Sequence, residues 1–164
     1  MKILAIDPSI NHIGMAYLDW RGRNKFSFET ERLNLQRNKD KRLPYRIISV
    51  FEEMRKGMNY WTPDIIVIEK PPKFARQKGR IGAVLNLNSV LLLAYAFSAI
   101  ILAIHVAFPE VEIFDLKAGR VVTKQKAKMY LEQIGISTDN MSSHEIDALV
   151  LAIAVAQDKT LLMQ

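Results

Sequence analysis

The sequence has no cysteine, only seven glycines in 164 residues, and fewer acidic than basic side chains. The absence of cysteine excludes disulfide bonds and metal sites built on thiolates. Glycine-rich phosphate loops and a second, similar half are also missing, which argues against a sugar-kinase or actin-type nucleotide binder. A chain of this length is expected to form one domain, spanning residues 1–164, with a hydrophobic core of its own.

Basic residues outnumber acidic ones by 23 to 17, which gives a formal net charge of +6. This balance indicates a polyanionic partner, and a nucleic acid before a membrane surface. The first residues carry one lysine and an apolar run that is too short for a signal peptide. We therefore expect a cytoplasmic protein.

The segment from Ser89 to Phe108 carries no permanent charge over a length that could span a bilayer. Ordinary polar sequence follows it, with no second apolar span. A core or dimer-interface helix is therefore favoured over a membrane helix. We predict that this helix forms the interface of a homodimer. The face predicted to approach the second helix is rich in alanine and comprises Ala94, Ala96, Ala99 and Ala103.

Hydrophobic periodicity predicts three strands, a helix, a strand, a helix, a strand and two helices, in that order. The first three strands are expected to form an antiparallel meander. The fourth strand is apolar throughout, which is typical of a strand buried on both faces. The predicted ranges are 2–6, 13–18, 25–35, 43–58, 64–69, 83–107, 111–114, 123–131 and 144–157. This order predicts an α/β fold with a central mixed five-stranded sheet flanked by helices.

Acidic or metal-capable side chains stand where buried apolar elements end or begin. Asp7 closes the first strand, Glu69 closes a central strand, and His144 and Asp147 share one face of the last helix. Burying such groups is costly unless something positive binds them. Hard cations such as Mg²⁺ prefer oxygen ligands, and two such ions can activate water and stabilise the leaving oxygen of a phosphodiester. We therefore predict a divalent-metal site that cuts nucleic acid. Glu145 is set aside, because it lies about 100° around the helix from His144.

Each of these residues also has a structural interpretation when it is taken alone. Asp7 suits a turn or a helix cap, Glu69 suits a solvated strand end, and Asp147 suits the dipole of a first helical turn. His144 is compatible with an ordinary position near a helix N-terminus. As a site residue, it could ligate a metal, orient water or accept the proton of water. The joint placement of the four residues favours the catalytic hypothesis.

Two clusters of basic residues indicate where a nucleic acid would bind. The first cluster follows Glu69 directly, includes no acid, and comprises Lys70, Lys73, Arg76, Lys78 and Arg80. Phe74 lies within it, where the ring would either stack on an unpaired base or pin the loop to the core. The second cluster comprises Lys117, Arg120, Lys124, Lys126 and Lys128.

Three segments, AIDPSINHIGMAYLD, IIVIEKPP and SHEIDALVLAIAVA, resemble the catalytic blocks of RuvC-type Holliday junction resolvases, within the RNase H-like superfamily. The resemblance runs in order over essentially the whole chain. It implies an RNase H-like fold, a homodimer, and nicking of two opposed strands at a four-way DNA junction with Mg²⁺ or Mn²⁺. By motif, it implies that Asp7, Glu69, His144 and Asp147 are the catalytic and metal-binding residues. His144 stands at a place where the family has either Asp or His.

One stretch departs from the family pattern. Residues 116–124 (LKAGRVVTK) hold a single glycine where the family often has a glycine-rich stretch with a lysine, so Lys117 and Lys124 are both candidates for its DNA contact. The compact chain resembles a phage or otherwise divergent member. Two rival functions stay open. One is an RNase H-like nuclease that acts on flaps, forks or RNA–DNA hybrids, and the other is a junction-binding protein without catalysis.

Overall fold

A computed structural model describes residues 1–9, 11–22, 25–35, 42–70, 87–117 and 124–158 of the chain. The strands and helices within these ranges follow in the predicted order. They are β1 (Lys2–Pro8), β2 (His12–Gly22), β3 (Lys25–Asn34), α1 (Leu43–Met58), β4 (Ile65–Lys70), α2 (Leu87–Ala107), β5 (Ile113–Lys117), α3 (Lys124–Gln133) and α4 (Ser143–Gln157).

The strands form one mixed sheet in the order β3-β2-β1-β4-β5. The first three strands are an antiparallel meander, in which Asp7 of β1 lies opposite Gly14 of β2, and Gly14 lies opposite Arg32 of β3. The strands β1, β4 and β5 run parallel, with Ile6 paired to Ile68 near the carboxyl ends. The predicted α/β architecture with a mixed five-stranded sheet is confirmed.

Alternation along the strands divides the core into two layers, because successive side chains of a strand point to opposite faces. Ile3, Ala5 and Val67 are buried on one side together with residues of α3 and α4, and we call this side the α4 face. Leu4 and Ile68 are buried on the other side together with residues of α1 and α2, and we call it the α2 face. Helices therefore cover both faces of the sheet, as the apolar sequence of β4 predicts.

The element bounds agree with the predictions for α1, whereas β5 is displaced toward the C-terminus. The strand was expected at 111–114, but it spans Ile113–Lys117. Its pairing with β4, from Ile66 opposite Ile113 to Lys70 opposite Lys117, sets this position. The amide of Val111 instead closes a turn onto the carbonyl of Phe108. Asp115 and the backbone of Lys117 thus belong to the strand end that adjoins β4.

Helix α2 is packed against the sheet and α1 on one side only. Within the ranges that the structure describes, no helix has the length and apolar character needed to cross a membrane. Ala96, Ala99 and Ala103 are buried in the chain's own core, so the prediction that they face a partner helix is wrong, whereas Ala94 is exposed. The cause is the sequence itself: a helix that is apolar all round does not show which side packs internally. The outward side carries a stripe of exposed apolar residues: Leu91, Tyr95, Leu102 and Val106.

Candidate active site

The structure places Asp7 at the carboxyl end of β1, on the α4 face of the sheet. The position follows from strand alternation, since Ile3 and Ala5 of the same strand lie in the α4-side core. Its backbone lies in the sheet, and only 8% of the residue is exposed. A carboxyl group with so little solvent contact is costly to hold in its charged form without a partner.

Glu69 lies on the neighbouring parallel strand at the same level. The register that pairs Ile6 with Ile68 continues to Asp7 and Glu69 as the next positions of β1 and β4. Val67 belongs to the α4-side core, so Glu69, two residues further on, also lies on that face. It is half-buried. The two acids therefore share one face and one end of the sheet, as predicted from the strand ends.

The start of α4 brings His144 onto Asp7. The side chain of Ser142 accepts a hydrogen bond from the amide of Glu145, and the Glu145 carboxylate accepts one from the amide of Ser142. This capping box fixes where the helix begins. Nδ1 of His144 then lies 2.5 Å from Oδ2 of Asp7, with both side chains largely buried. The carboxylate of Glu145 is thus engaged in capping the helix.

Gly14 permits the close approach of α4 to the sheet. A Cβ atom at this position would lie 2.1 Å from the carbonyl oxygen of His144 and 2.8 Å from the amide nitrogen of Glu145. Only a residue without a side chain fits between β2 and the first turn of α4. Gly14 is also the residue opposite Asp7 in the sheet. Gly14 was not among the residues predicted for the site, although a glycine inside an apolar strand is a known signal of close backbone approach.

Asp147 lies one helical turn beyond His144 and is half-buried. It lines a surface depression of about 390 Å³ between α4 and the region of α3. The other residues around this depression include Lys128 and Asp139. Lys128, a member of the second basic cluster, lies 3.7 Å from the carboxylate of Glu132 on its own helix. The second basic cluster therefore adjoins the helix that carries Asp147.

The side chains of the site suit a hard cation by their chemistry, because three of the four are carboxylates and the fourth is an imidazole. Asp7 and His144 are in contact. Across the described portion of the chain, however, no three Asp, Glu or His side chains gather closely enough to hold a metal ion. The types of donor atom thus fit Mg²⁺ or Mn²⁺. In the observed geometry Asp7 and His144 are in direct contact, and Glu69 lies on the adjacent strand.

A second histidine, His12, lies beside the pair, and sequence analysis did not identify it. The rings of His12 and His144 have centroids 6.0 Å apart. Its strand position is fixed by a turn in which the Ser9 hydroxyl accepts from the His12 amide and donates to the His12 carbonyl. Burial lowers the pKa of His12, and the nearby charges of Arg32 and His144 lower it further.

The predicted DNA-binding residues are placed only in part. Lys73, Phe74, Arg76, Lys78, Arg80 and Arg120 lie outside the described residues. Lys117 ends β5 and Lys124 begins α3, and the structure defines only their backbone. Lys70 ends β4, where its ammonium group pairs with the carboxylate of Asp115. Alternation puts Lys70 on the α2 face, opposite to Glu69, so its predicted phosphate contact stays a prediction.

No family model matches the sequence. Among curated proteins, the crossover junction endodeoxyribonuclease RuvC of Prochlorococcus marinus is 21% identical over 93% of this chain and 94% of its own length. The RuvC of Corynebacterium efficiens is 26% identical over 100% of this chain and 72% of its own.

Solved structures extend the likeness to the fold. Thermus thermophilus RuvC in complex with a Holliday junction substrate matches with a TM-score of 0.74 and 18% identity, over 98% of this chain and 96% of that one. The yeast mitochondrial Holliday junction resolvase Ydc2 matches with a TM-score of 0.66 and 13% identity, over 98% and 80%. The predicted RNase H-like fold is confirmed. The chain is therefore a distant homologue, over its full length, of the RuvC-type Holliday junction resolvases.

Proposed function

We propose that this protein is a metal-dependent endonuclease that resolves four-way DNA junctions by paired nicks. The observation that carries the proposal is the contact between Asp7 and His144 at the carboxyl end of β1, next to Glu69 on β4. The relatives named RuvC, and the Thermus RuvC solved with a junction substrate, support the choice of substrate. The net charge of +6 agrees with a polyanionic partner.

The four residues divide into oxygen and nitrogen donors. Asp7, Glu69 and Asp147 would hold Mg²⁺ or Mn²⁺, two ions per site, with His144 beside them. When bound, the ions would activate a water molecule and stabilise the charge on the leaving oxygen. An ionised Asp7 accepts the Nδ1–H of His144, since a carboxylate has no proton to donate. Nε2 of His144 then carries the lone pair that is available to a cation or to a proton of the attacking water.

Paired nicks require two active sites, and the exposed side of α2 offers a surface for a second copy of the chain. Its apolar stripe of Leu91, Tyr95, Leu102 and Val106 follows one side of the helix. Large side chains of this kind are more often covered than left in contact with water when they are contiguous. A two-fold interface formed by the same stripe on both chains would bury it. We propose this homodimer in place of one that uses the alanine face.

The test is cleavage of labelled four-way, three-way, flap, linear duplex and RNA–DNA hybrid substrates, with Mg²⁺, with Mn²⁺ and with EDTA. We expect paired cuts in the four-way junction that depend on the metal. Asp7→Asn and Glu69→Gln should abolish cutting while junction binding stays intact or improves, because each change removes a negative charge. Glu110→Gln is the matched control, since Glu110 is an exposed acid remote from the strand ends in question.

The competing functions give different results in the same assay. Equal cutting of flaps or hybrids by the wild type would replace the proposal with a broader RNase H-like nuclease. Tight junction binding without cutting under any metal condition would identify a non-catalytic binding protein. Undiminished cutting by Asp7→Asn or Glu69→Gln would refute the assignment of the site.

A further inference from the structure

An exposed arginine on the edge strand lies in line with the candidate active site. Asp7 of β1, Gly14 of β2 and Arg32 of β3 are successive partners across the sheet. Neighbouring strands are spaced about 4.8 Å apart, so the backbones at Asp7 and Arg32 are separated by roughly 10 Å. Arg32 is exposed, and it forms no ion pair with the carboxylates that the structure describes. Its charge is permanent, so it can bind an anionic partner.

His12 lies between this arginine and the Asp7–His144 pair. It is opposite Asn34, and therefore a diagonal neighbour of Arg32 on the same side of the sheet. Alternation along β2 places His12 and Gly14 on the α4 face, where the ring of His12 approaches that of His144. An arginine and two imidazoles thus line the end of the sheet that carries Asp7.

The environment of the His12 ring indicates which of its nitrogens carries a proton. Nδ1 is buried and has no hydrogen-bond partner among the residues described. A buried N–H without an acceptor is rarer in proteins than a buried lone pair without a donor, so the neutral ring keeps its proton on Nε2. Nε2 is not among the buried atoms that lack a partner, and the residue as a whole is only half-buried. His12 therefore offers an N–H donor on the same side of the sheet as Arg32.

We propose that Arg32 and Nε2–H of His12 bind a backbone phosphate of the DNA strand that is cut, close to the cleaved bond. The inference rests on the proposed function of the Asp7–His144 site. The roughly 10 Å between the backbones at Asp7 and Arg32 is short enough for both residues to meet neighbouring parts of one DNA strand, and the arginine side chain shortens this span. The contact would fix the register of the strand in the site, which is what phosphate contacts do in protein–DNA complexes.

Salt-dependent junction binding tests the arginine. Affinity of the full-length protein for a labelled four-way junction is measured in EDTA at increasing salt for the wild type, Arg32→Gln and Lys25→Gln. Lys25 is the matched control, because it is an exposed cation at the other end of the same strand. Loss of one phosphate contact should lower the slope of log affinity against log salt by about 0.9 in Arg32→Gln. The slope of Lys25→Gln should equal that of the wild type.

Chemical modification of the DNA locates the contact. A methylphosphonate removes the charge of one phosphate, and it is placed in turn at each of the first few positions on both sides of the mapped cut. At the contacted position, wild type and Arg32→Gln should bind equally well, while at the others the wild type should bind more tightly. His12→Phe keeps a ring of similar size and should weaken binding, since the N–H donor to the phosphate is lost.

The outcomes separate this inference from the proposed function. If the wild type binds and cuts the junction but Arg32→Gln has the slope of Lys25→Gln, the phosphate contact is refuted and the nuclease stands. If no methylphosphonate position removes the difference between wild type and Arg32→Gln, the arginine acts only through general charge. If His12→Phe binds as the wild type does, the imidazole has no part in the contact. A wild type that binds no branched DNA refutes both proposals.

Discussion

Replacement of Gly14 by alanine would keep every candidate catalytic side chain but would shift the helix that carries His144. The added Cβ would lie 2.1 Å from the carbonyl oxygen of His144, whereas such contacts below 3.0 Å are essentially absent from proteins. The first turn of α4 must therefore move by roughly 0.9 Å, the difference between the two distances, because a packed interior does not yield freely. This movement acts on the backbone of the residue whose side chain contacts Asp7.

Two magnitudes follow from this displacement. Overpacking by one methyl group in a close-packed region costs about 1–3 kcal/mol of the free energy of unfolding. A misplacement of catalytic groups by about 1 Å lowers the rate of a positioned reaction by roughly 10²-fold. We therefore expect Gly14→Ala to remain folded and to bind the junction, but to cut it about 10²-fold more slowly in single-turnover assays.

Gly57→Ala makes the same chemical change elsewhere and serves as the control. A Cβ at position 57 would meet Cε of Met15 at 2.9 Å and a carboxylate oxygen of Glu31 at 3.0 Å, both at the ends of flexible side chains. Alanine also gains about 0.5–1 kcal/mol over glycine within a helix. Its stability should thus stay within about 1 kcal/mol of the wild type, and its cleavage rate should not change.

We would measure urea unfolding, junction binding and single-turnover cleavage for both variants, to test whether Gly14 positions the candidate active site. If Gly14→Ala is as stable and as active as the wild type, the contact between β2 and α4 does not position the site. If Gly57→Ala loses as much activity as Gly14→Ala, an added methyl group lowers the cleavage rate wherever it is placed. The contact between Gly14 and the backbone of His144 would then not explain the loss.

Three further predictions concern other parts of the fold. Leu102→Glu should convert a dimer into a monomer in light scattering, because Leu102 belongs to the exposed stripe of α2, whereas Met129→Glu on the exposed side of α3 should not. Ser142→Ala should lower the free energy of unfolding by urea by about 1 kcal/mol, through loss of the N-cap of α4. Burial, and then the charge of Glu53, raises the pKa of Glu31 above its ordinary value of 4.5. The folded state therefore resists ionisation of Glu31, and its cost to stability grows as the pH rises through the folded pKa. Glu31→Gln should accordingly be more stable than the wild type at neutral pH and lose that advantage below pH 4.5, and an advantage independent of pH would contradict the assignment.

The strands that carry the acids were predictable because their signals are local. An apolar run ending in an acid places Asp7 and Glu69 at strand ends, and the parallel pairing of β1 with β4 then sets them at one level. The start of α4 is equally local, since serine followed three residues later by glutamate is the signature of a capping box.

The remaining features depend on neighbours that are distant in sequence. Gly14 is constrained by the backbone at His144, and the sequence around Gly14 does not predict which backbone approaches it. His12 and Arg32 come near the candidate site only through the pairing of β2 with β3 and the docking of α4. The side of α2 that packs inward was predicted wrongly, because a helix that is apolar all round has no local signal of orientation.

The link between Asp7 and His144 joins residues 137 positions apart, the first strand to the last helix of the described fold. A contact of such long sequence separation forms only when the entropy of closing the intervening chain is overcome. During synthesis, β1 leaves the ribosome long before α4 exists. A chain that is incomplete, or that has folded only its meander, therefore holds the acid without the histidine. In the proposed nuclease, cutting that needs both groups would be withheld until the whole topology has assembled.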